Sequence, residues 1–324
     1  MNLTAQPLVS VLTPVYNGEK YLAECIESVL SQTYQNWKYT IVNNCSTDHT
    51  LEIAQAFANS DPRIMIHNNT QFVDIITNHN IAFGLISPES KYCKVVSADD
   101  WIFPDCITQM VDLAEANSTI GIVAAYHMSG ERIGNAGLPY PSTVVPGKDI
   151  CRRSLLGGPY VFGAPTSLLY RSDLVRTAEA FFPNLSPHAD TAACYKYLQH
   201  CDFGFVHQVL AYERIHTGQT SEKSRRLDYY IAEILRYLVE YGPMYLSKKE
   251  LEERIHEHMV DYYKFLSRNL FRRRNEEFWD YHKSQLKQWG YPLNKVTLTK
   301  AVFLHIMNAL LNPKQTIERL SRRL

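Results

Sequence analysis

Two adjacent carboxylates, Asp99 and Asp100, stand just beyond the short run YCKVV at residues 92–96. A β-rich apolar run of that length reads as a strand, so the pair sits where a sheet opens to solvent. Hard oxygen ligands side by side suit a divalent cation, Mg2+ or Mn2+, that shares its shell with a diphosphate. The same residues equally suit the start of the helix that Pro104 opens, whose positive end favours anions. Spacing alone leaves both readings standing. Other familiar signatures are missing: the chain has no GxGxxG, no GxxxxGK[ST], no HExxH and no GxSxG. Dinucleotide enzymes, P-loop ATPases, zinc proteases and α/β-hydrolases therefore lose weight.

The elements that must carry such a pair alternate along the first 130 residues. Residues 8–13 (LVSVLT) predict a strand that stops at Pro14. Leu22, Ile26, Val29 and Leu30 then recur at helical spacing, with Asn17 as a cap. Residues 38–42 (KYTIV) predict the next strand, ending in the turn-prone Asn43-Asn44-Cys45-Ser46, and a helix carrying Leu51, Ala54 and Phe57 follows. Strands at 64–66, 92–96 and 120–126 enclose helices at 74–85 and around Ile107, Met110, Val111 and Ala114. This alternation predicts an α/β fold with a mostly parallel sheet flanked by helices. Ligands in such sheets bind beyond the carboxyl ends of the strands. Three polar runs occupy those places, at residues 14–19, 43–48 and 97–100. Residues 130–163 are rich in Gly and Pro and read as a long substrate-facing loop. A strand at 167–170, a helix at 191–200 and a final strand at 203–211 complete the first part. Beyond it come long charged helices at 227–241 and 248–289 with no strand signal, which sets a boundary near residue 222. The expected organisation is residues 1–221 as one domain and 222–324 as a helical region.

Composition bounds the class. The 324 residues are 45% apolar and 20% charged, an ordinary globular mix that rules out a disordered or fibrous chain. The 7 Cys are odd in number and lack a CxxC pair, which argues against a disulfide framework or zinc ribbon and fits a reducing cytoplasm. Net charge is zero, yet residues 1–221 hold 13 Lys+Arg against 20 Asp+Glu, and residues 222–324 hold the remaining 20 against 13. The basic residues are not gathered around stacking aromatics, so nucleic acid is not an expected partner.

The ordered motifs resemble a known family. Residues 8–50 are similar to the opening of inverting family 2 glycosyltransferases, which have the GT-A fold, of the bacterial polysaccharide and cell-envelope type. The matching pieces are Thr13-Pro14-Val15-Tyr16-Asn17, then Ser28-Val29-Leu30-Ser31-Gln32-Thr33, then Asn44-Cys45-Ser46-Thr47-Asp48. Ser97-Ala98-Asp99-Asp100-Trp101 with Pro104-Asp105 resembles the metal-binding segment, and the likeness extends over residues 7–221. It implies transfer of a sugar, with inversion, from a nucleotide-sugar donor of UDP, dTDP or GDP type to a hydroxyl of a glycan or lipid-linked acceptor. By the same resemblance Pro14 and Tyr16 flank the nucleotide base, Glu19 lies near the ribose–phosphate end, and Asn44 and Ser46 belong to the donor site. Asp99 is the main ligand of Mg2+ or Mn2+, with Asp100 beside it. Asp190, opening a helix, takes the place of the general base; by chemistry alone it reads as a cap. Arg214 and His216 alternate and face the donor diphosphate. Gly163-Ala164-Pro165-Thr166-Ser167 resembles the loop that meets donor sugar and acceptor. Three positions depart from the family pattern: Asn44 and Ser97 stand where Asp is usual, and Cys45 where Gly is usual.

Two other functions share parts of this signature. A sugar-phosphate nucleotidyltransferase would need a basic Gly-rich loop after the first strand, and residues 13–18 hold no Lys or Arg. A non-catalytic nucleotide-sugar-binding protein fits the three departures and not the retention of Asp99, Asp100 and Asp190. The tail adds a question of place. After Asp280 come Lys283, Lys287, Lys295, Lys300, Lys314, Arg319, Arg322 and Arg323 against Glu318 alone, around the apolar residues 301–311. That segment is too short to span a bilayer. It suits either an anionic membrane surface, which would make the protein cytoplasmic and peripheral on the inner face, or a docking helix.

Overall fold

The computed structural model describes residues 6–140, 142–183, 188–216 and 224–312. They form two compact units, residues 1–219 and 220–324, and the boundary expected near residue 222 lies outside the described residues.

The first unit is built on a ten-stranded sheet. In chain order its strands are β1 (Val9–Val15), β2 (Trp37–Asn43), β3 (Ile64–Asn68), β4 (Tyr92–Val95), β5 (Trp101–Ile102), β6 (Ile120–Ser129), β7 (Arg132–Gly134), β8 (Val144–Val145), β9 (Leu168–Arg171) and β10 (Asp202–Glu213). The spatial order is β3-β2-β1-β4-β9-β6-β10-β5, with β7 on β6 and β8 on β10. β3, β2, β1 and β4 run parallel, and β9 is antiparallel to both β4 and β6. β6 therefore points the same way as β4, and β10 is parallel to β6. Six strands thus deliver their carboxyl ends to one edge, where the polar runs lie. β1 is buried along its whole length, as a central strand covered on both faces must be.

Helices α1 (Leu22–Leu30), α2 (Thr50–Ser60), α3 (Ile75–Gly84) and α4 (Cys106–Ala116) connect the parallel strands. α5 (Gly147–Leu155), α6 (Ser172–Arg176) and α7 (Ala189–Tyr197) belong to the antiparallel half. The core joins apolar faces of α1 and α4 (Leu22, Ile26, Val29, Ile107, Met110) to strand residues such as Val11, Ile41 and Val123. Spacing at i, i+3, i+4 is what gathers those side chains onto one face of each helix.

Several boundaries differ from expectation. β1 runs through Pro14 because Val96 N–H donates to Leu12 O, so Leu12 and Pro14 face β4, and the β4 register ends opposite Leu12. The missing proline N–H thus points where no partner strand remains. Asn17 does not cap α1: its backbone is left-handed, with φ 49°, and its Oδ1 accepts from Thr47 N–H. The loop expected over 130–163 contains β7, β8 and α5, and α7 starts at Ala189, two residues early, so Asp190 lies within its first turn.

The second unit is helical: α8 (Tyr229–Glu240), α9 (Gly242–Tyr245), α10 (Lys248–Phe271), α11 (Glu276–Gln288) and α12 (Lys295–Leu311). Ser247 and Glu250 form a reciprocal capping box that starts α10. The expected single stretch 248–289 breaks at Arg273, which is left-handed at φ 50°, and Asn275 caps the new helix.

Gly147 sets how close α5 comes to the end of α7. A Cβ there would meet Cys201 O at 2.1 Å and Leu198 O at 2.2 Å, both backbone atoms. Gly147→Ala should lower stability by about 1–3 kcal/mol through overpacking. Gly84→Ala, with nothing within 4 Å, should be neutral or stabilising. Thermal or urea melts of the two variants check this contrast.

Candidate active site

The loops after β1 and β2 are laced together. Asn17 N–H donates to Ser46 Oγ (3.0 Å), Gly18 N–H to Thr50 Oγ1 (2.7 Å) and Glu19 N–H to Asp48 Oδ2 (3.1 Å). In return Glu19 Oε2 accepts from His49 N–H at 3.1 Å. Glu19 and Ser46 therefore shape this floor. Pro14 is buried in β1, whereas Tyr16 just beyond is 49% exposed.

Asn44 has a different task from the one expected. Its Oδ1 accepts from Val73 N–H (3.0 Å) and Asn69 Nδ2 (3.0 Å), and its Nδ2 donates to Val73 O (2.8 Å). The buried amide mimics a strand neighbour and holds the loop after β3, a pairing that a carboxylate, having no donor, cannot make. That loop brings Phe72, 61% exposed, to a ring-centroid distance of 4.8 Å from Tyr16. The two rings meet edge to face and leave apolar surface open at the carboxyl edge. The sequence reading missed Phe72; an aromatic inside a polar turn was its signal.

At the end of β4 the two aspartates separate in role. Asp100 is buried, accepting from Thr166 Oγ1 at 2.6 Å and from Arg214 N–H at 3.1 Å. Burial, and then the charge of Asp99, push its carboxyl well above the usual range. Asp99 is more open, and its Oδ2 lies 3.1 Å from His216 Nε2. The structure therefore brings Asp99 and His216 together as the accessible donors and uses Asp100 as an internal strut. Arg214 Nε donates to Asp99 O (3.0 Å), its Nη2 reaches Glu24 Oε2, and its guanidinium lies 4.5 Å over the ring of Tyr21. The His216 ring is 4.8 Å from the same tyrosine. Tyr21, which the sequence reading passed over, supports both groups.

The loop 163–167 ties this corner to α7. Thr166 Oγ1 accepts from Ser97 N–H at 3.1 Å, while Lys94, fully buried in β4, donates to Thr166 O (2.7 Å) and Leu168 O (3.2 Å). At the other end Tyr160 O–H reaches both Gly163 O (3.4 Å) and Thr191 Oγ1 (2.6 Å). Gly163 is left-handed, and a Cβ would meet Ser167 Oγ at 2.2 Å and Asn135 Nδ2 at 2.4 Å, so only glycine fits. Asp190 follows in α7, buried, its Oδ1 accepting from Thr191 N–H at 2.8 Å. Burial raises its carboxyl to about 6, partly opposed by His188. A carboxyl held there can exchange a proton near neutral pH.

With this geometry in place, the comparisons with known proteins agree. Residues 10–177 match Glycosyl transferase family 2. The chain belongs to that family. A Haemophilus influenzae protein described as an uncharacterized glycosyltransferase is 29% identical over 224 residues, covering 66% of this chain and 68% of its own. Among solved structures, TarS 1–349 from S. aureus, in complex with UDP-GlcNAc, superposes with a TM-score of 0.65 at 18% identity over 87% of this chain and 80% of that one. The mannosyltransferase PcManGT from Pyrobaculum calidifontis, in complex with GDP-Man and Mn2+, gives 0.54 at 15% identity over 93% and 87%. The chain is a nucleotide-sugar glycosyltransferase with the GT-A fold, and the nucleotidyltransferase and non-catalytic readings are not favoured.

The Thr166 hydroxyl can be tested by itself. Thr166→Val leaves the Asp100 carboxyl and Ser97 N–H short of a buried partner and should cost about 1–3 kcal/mol of stability. Thr166→Ser should keep most of it. Urea unfolding of the pair checks the difference.

Proposed function

We propose that this chain transfers a sugar, with inversion, to a hydroxyl of a glycan or lipid-linked glycan in bacterial polysaccharide or cell-envelope synthesis. The contrast among three carboxyls carries the reading: Asp99 is accessible, Asp100 is buried and braced, and Asp190 is buried and raised to about 6. Asp190 takes the acceptor proton as the hydroxyl attacks the anomeric carbon. The nucleotide base, of UDP, dTDP or GDP type, lies against Tyr16 and Phe72 on the platform that Asn44 holds. Bound UDP-GlcNAc in TarS and GDP-Man in PcManGT support such a donor.

A divalent cation fits beside Asp99. The oxygen donor of Asp99 and the imidazole nitrogen of His216 converge at the carboxyl edge, a mixed pair that Mn2+ accepts readily and Mg2+ through its carboxylate. Among the described residues no group of three or more His, Cys, Asp or Glu gathers to hold a metal, so diphosphate and water would complete the shell. Mn2+ in PcManGT supports the same chemistry. Such an ion supplies positive charge to the departing nucleoside diphosphate. Arg214 orients Asp99 through its backbone oxygen and lends a second positive charge. No helix among the described residues is long and apolar enough to cross a membrane. We place the enzyme in the cytoplasm, peripheral on the inner face, where a lipid-linked acceptor would be presented.

Asp99→Asn and His216→Ala should each weaken metal-dependent transfer strongly while leaving the melting temperature in place. Turnover that ignores both changes would remove the metal assignment. For the base, the ionised form of Asp190 fades as pH falls, so kcat/KM should decline on the acid side around pH 6. Asp190→Asn should lower the rate by roughly 10²–10⁴ and abolish that limb. Because the folded carboxyl titrates above its unfolded value of 3.8, its stabilising contribution is present at low pH and lost as pH rises through about 6. The Asn variant should consequently be as stable as the parent or more so at pH 7. An unchanged pH profile in the variant would make Asp190 a cap only.

A further inference from the structure

The last described helix is apolar on two sides. α12 has no fully buried residue, although it caps well, with Asn294 Oδ1 accepting from Thr297 N–H at 3.0 Å. One side, carrying Leu298, Ala301, Val302 and His305 at helical spacing, is half-buried; Leu298 packs on the helical core and His305 meets Phe271 of α10 at 5.4 Å between ring centroids. The other side bears Val296, Phe303, Leu304, Ile306, Leu310 and Leu311, every one exposed and each of the last five between 41% and 72%. A helix with apolar side chains on two opposite faces is expected to be covered on both. Here the described residues cover one side.

Charge selects the occupant. α12 contains Lys295 and Lys300 and no Asp or Glu, and the sequence over 312–324 contains Lys314, Arg319, Arg322 and Arg323 against Glu318. A second copy seated on this face would bring like charges together with almost no acid to pair them. An anionic lipid surface would meet both the apolar stripe and its basic flanks. The helix, at 17 residues, falls short of a bilayer span and suits lying in the interface.

We propose that the face of α12 formed by Phe303, Leu304, Leu310 and Leu311 inserts shallowly into an anionic membrane, with Lys295 and Lys300 on the headgroups. This rests on the peripheral placement proposed above and names the surface that makes it. It orients the enzyme toward a lipid-linked acceptor and leaves the chemistry to the first unit.

Flotation with phosphatidylcholine vesicles, with and without phosphatidylglycerol, tests it on the full chain. The parent should float with the anionic vesicles at low salt, release as salt rises and ignore the neutral ones. Phe303→Asp combined with Leu310→Asp should reduce binding at least about tenfold, with transfer to a water-soluble acceptor unchanged. Leu310→Trp keeps the face apolar and should show blue-shifted emission with anionic vesicles only. A parent that never floats sinks both the peripheral placement and this surface. Flotation that survives the double substitution, or a Leu310→Trp emission that does not move, leaves the placement intact and overturns α12 as the contact. A parent dimer in sedimentation that the double substitution turns into monomer, without vesicle binding, assigns the face to a second copy instead.

Discussion

One buried hydroxyl holds the active corner of the first unit together. Thr166 Oγ1 donates to Asp100 and accepts from Ser97 N–H, while its own carbonyl is gripped by the buried ammonium of Lys94. A single such bond contributes only about 0.5–1.5 kcal/mol net. Its weight comes from what it joins. Asp100 braces the backbone of Arg214, Arg214 reaches Asp99 O, and the loop bearing Thr166 continues through Gly163 and Tyr160 to Thr191, beside Asp190. The corner of Asp99 and the helix of Asp190 are thereby fixed to the same short turn. A catalytic geometry has to be held to a fraction of an ångström, and satisfied buried bonds are how a fold does so.

Environment divides the labour among chemically identical groups. Asp99 and Asp100 are neighbours in sequence, yet one faces the open edge and the other is enclosed, and two full charges side by side in an enclosed site are costly. The raised carboxyl of Asp100 follows from that constraint, burial first and the neighbouring carboxylate second. Lys94 shows the reverse case. Burial lowers its pKa, and backbone carbonyls serve as its main partners.

Much of this was readable from residues alone, for identifiable reasons. The parallel half of the sheet announced itself through period-2 and period-3.6 patterns, and the polar runs at strand ends pointed to the edge where ligands bind. Asp99, Asp190 and His216 were singled out because their neighbours form ordered motifs. The antiparallel half was less visible: β5, β7 and β8 are two or three residues long, too short to show a period. Tertiary bonding was invisible altogether. Nothing in the sequence tells that the Asn44 amide is consumed by Val73, that Asp100 turns inward to Thr166, or that Tyr21 lies under both Arg214 and His216. Those assignments depend on residues 29, 66 and 193–195 positions away, brought close only by the sheet.

The central claim is that Asp99 with His216, and not the Asp99–Asp100 pair, faces the donor diphosphate beneath a base stacked on Tyr16 and Phe72. A thermal-shift panel would first choose the nucleoside diphosphate that stabilises the protein most with Mn2+. The direct measurement is a crystal structure with that nucleotide and Mn2+, the ion located by anomalous scattering. The account predicts a peak within coordination distance of Asp99, with His216 turned toward it, Asp100 still bonded to Thr166, and the base against Tyr16. An ion bound through Asp100 with the Thr166 bond broken, or a base seated away from Tyr16 and Phe72, would contradict it.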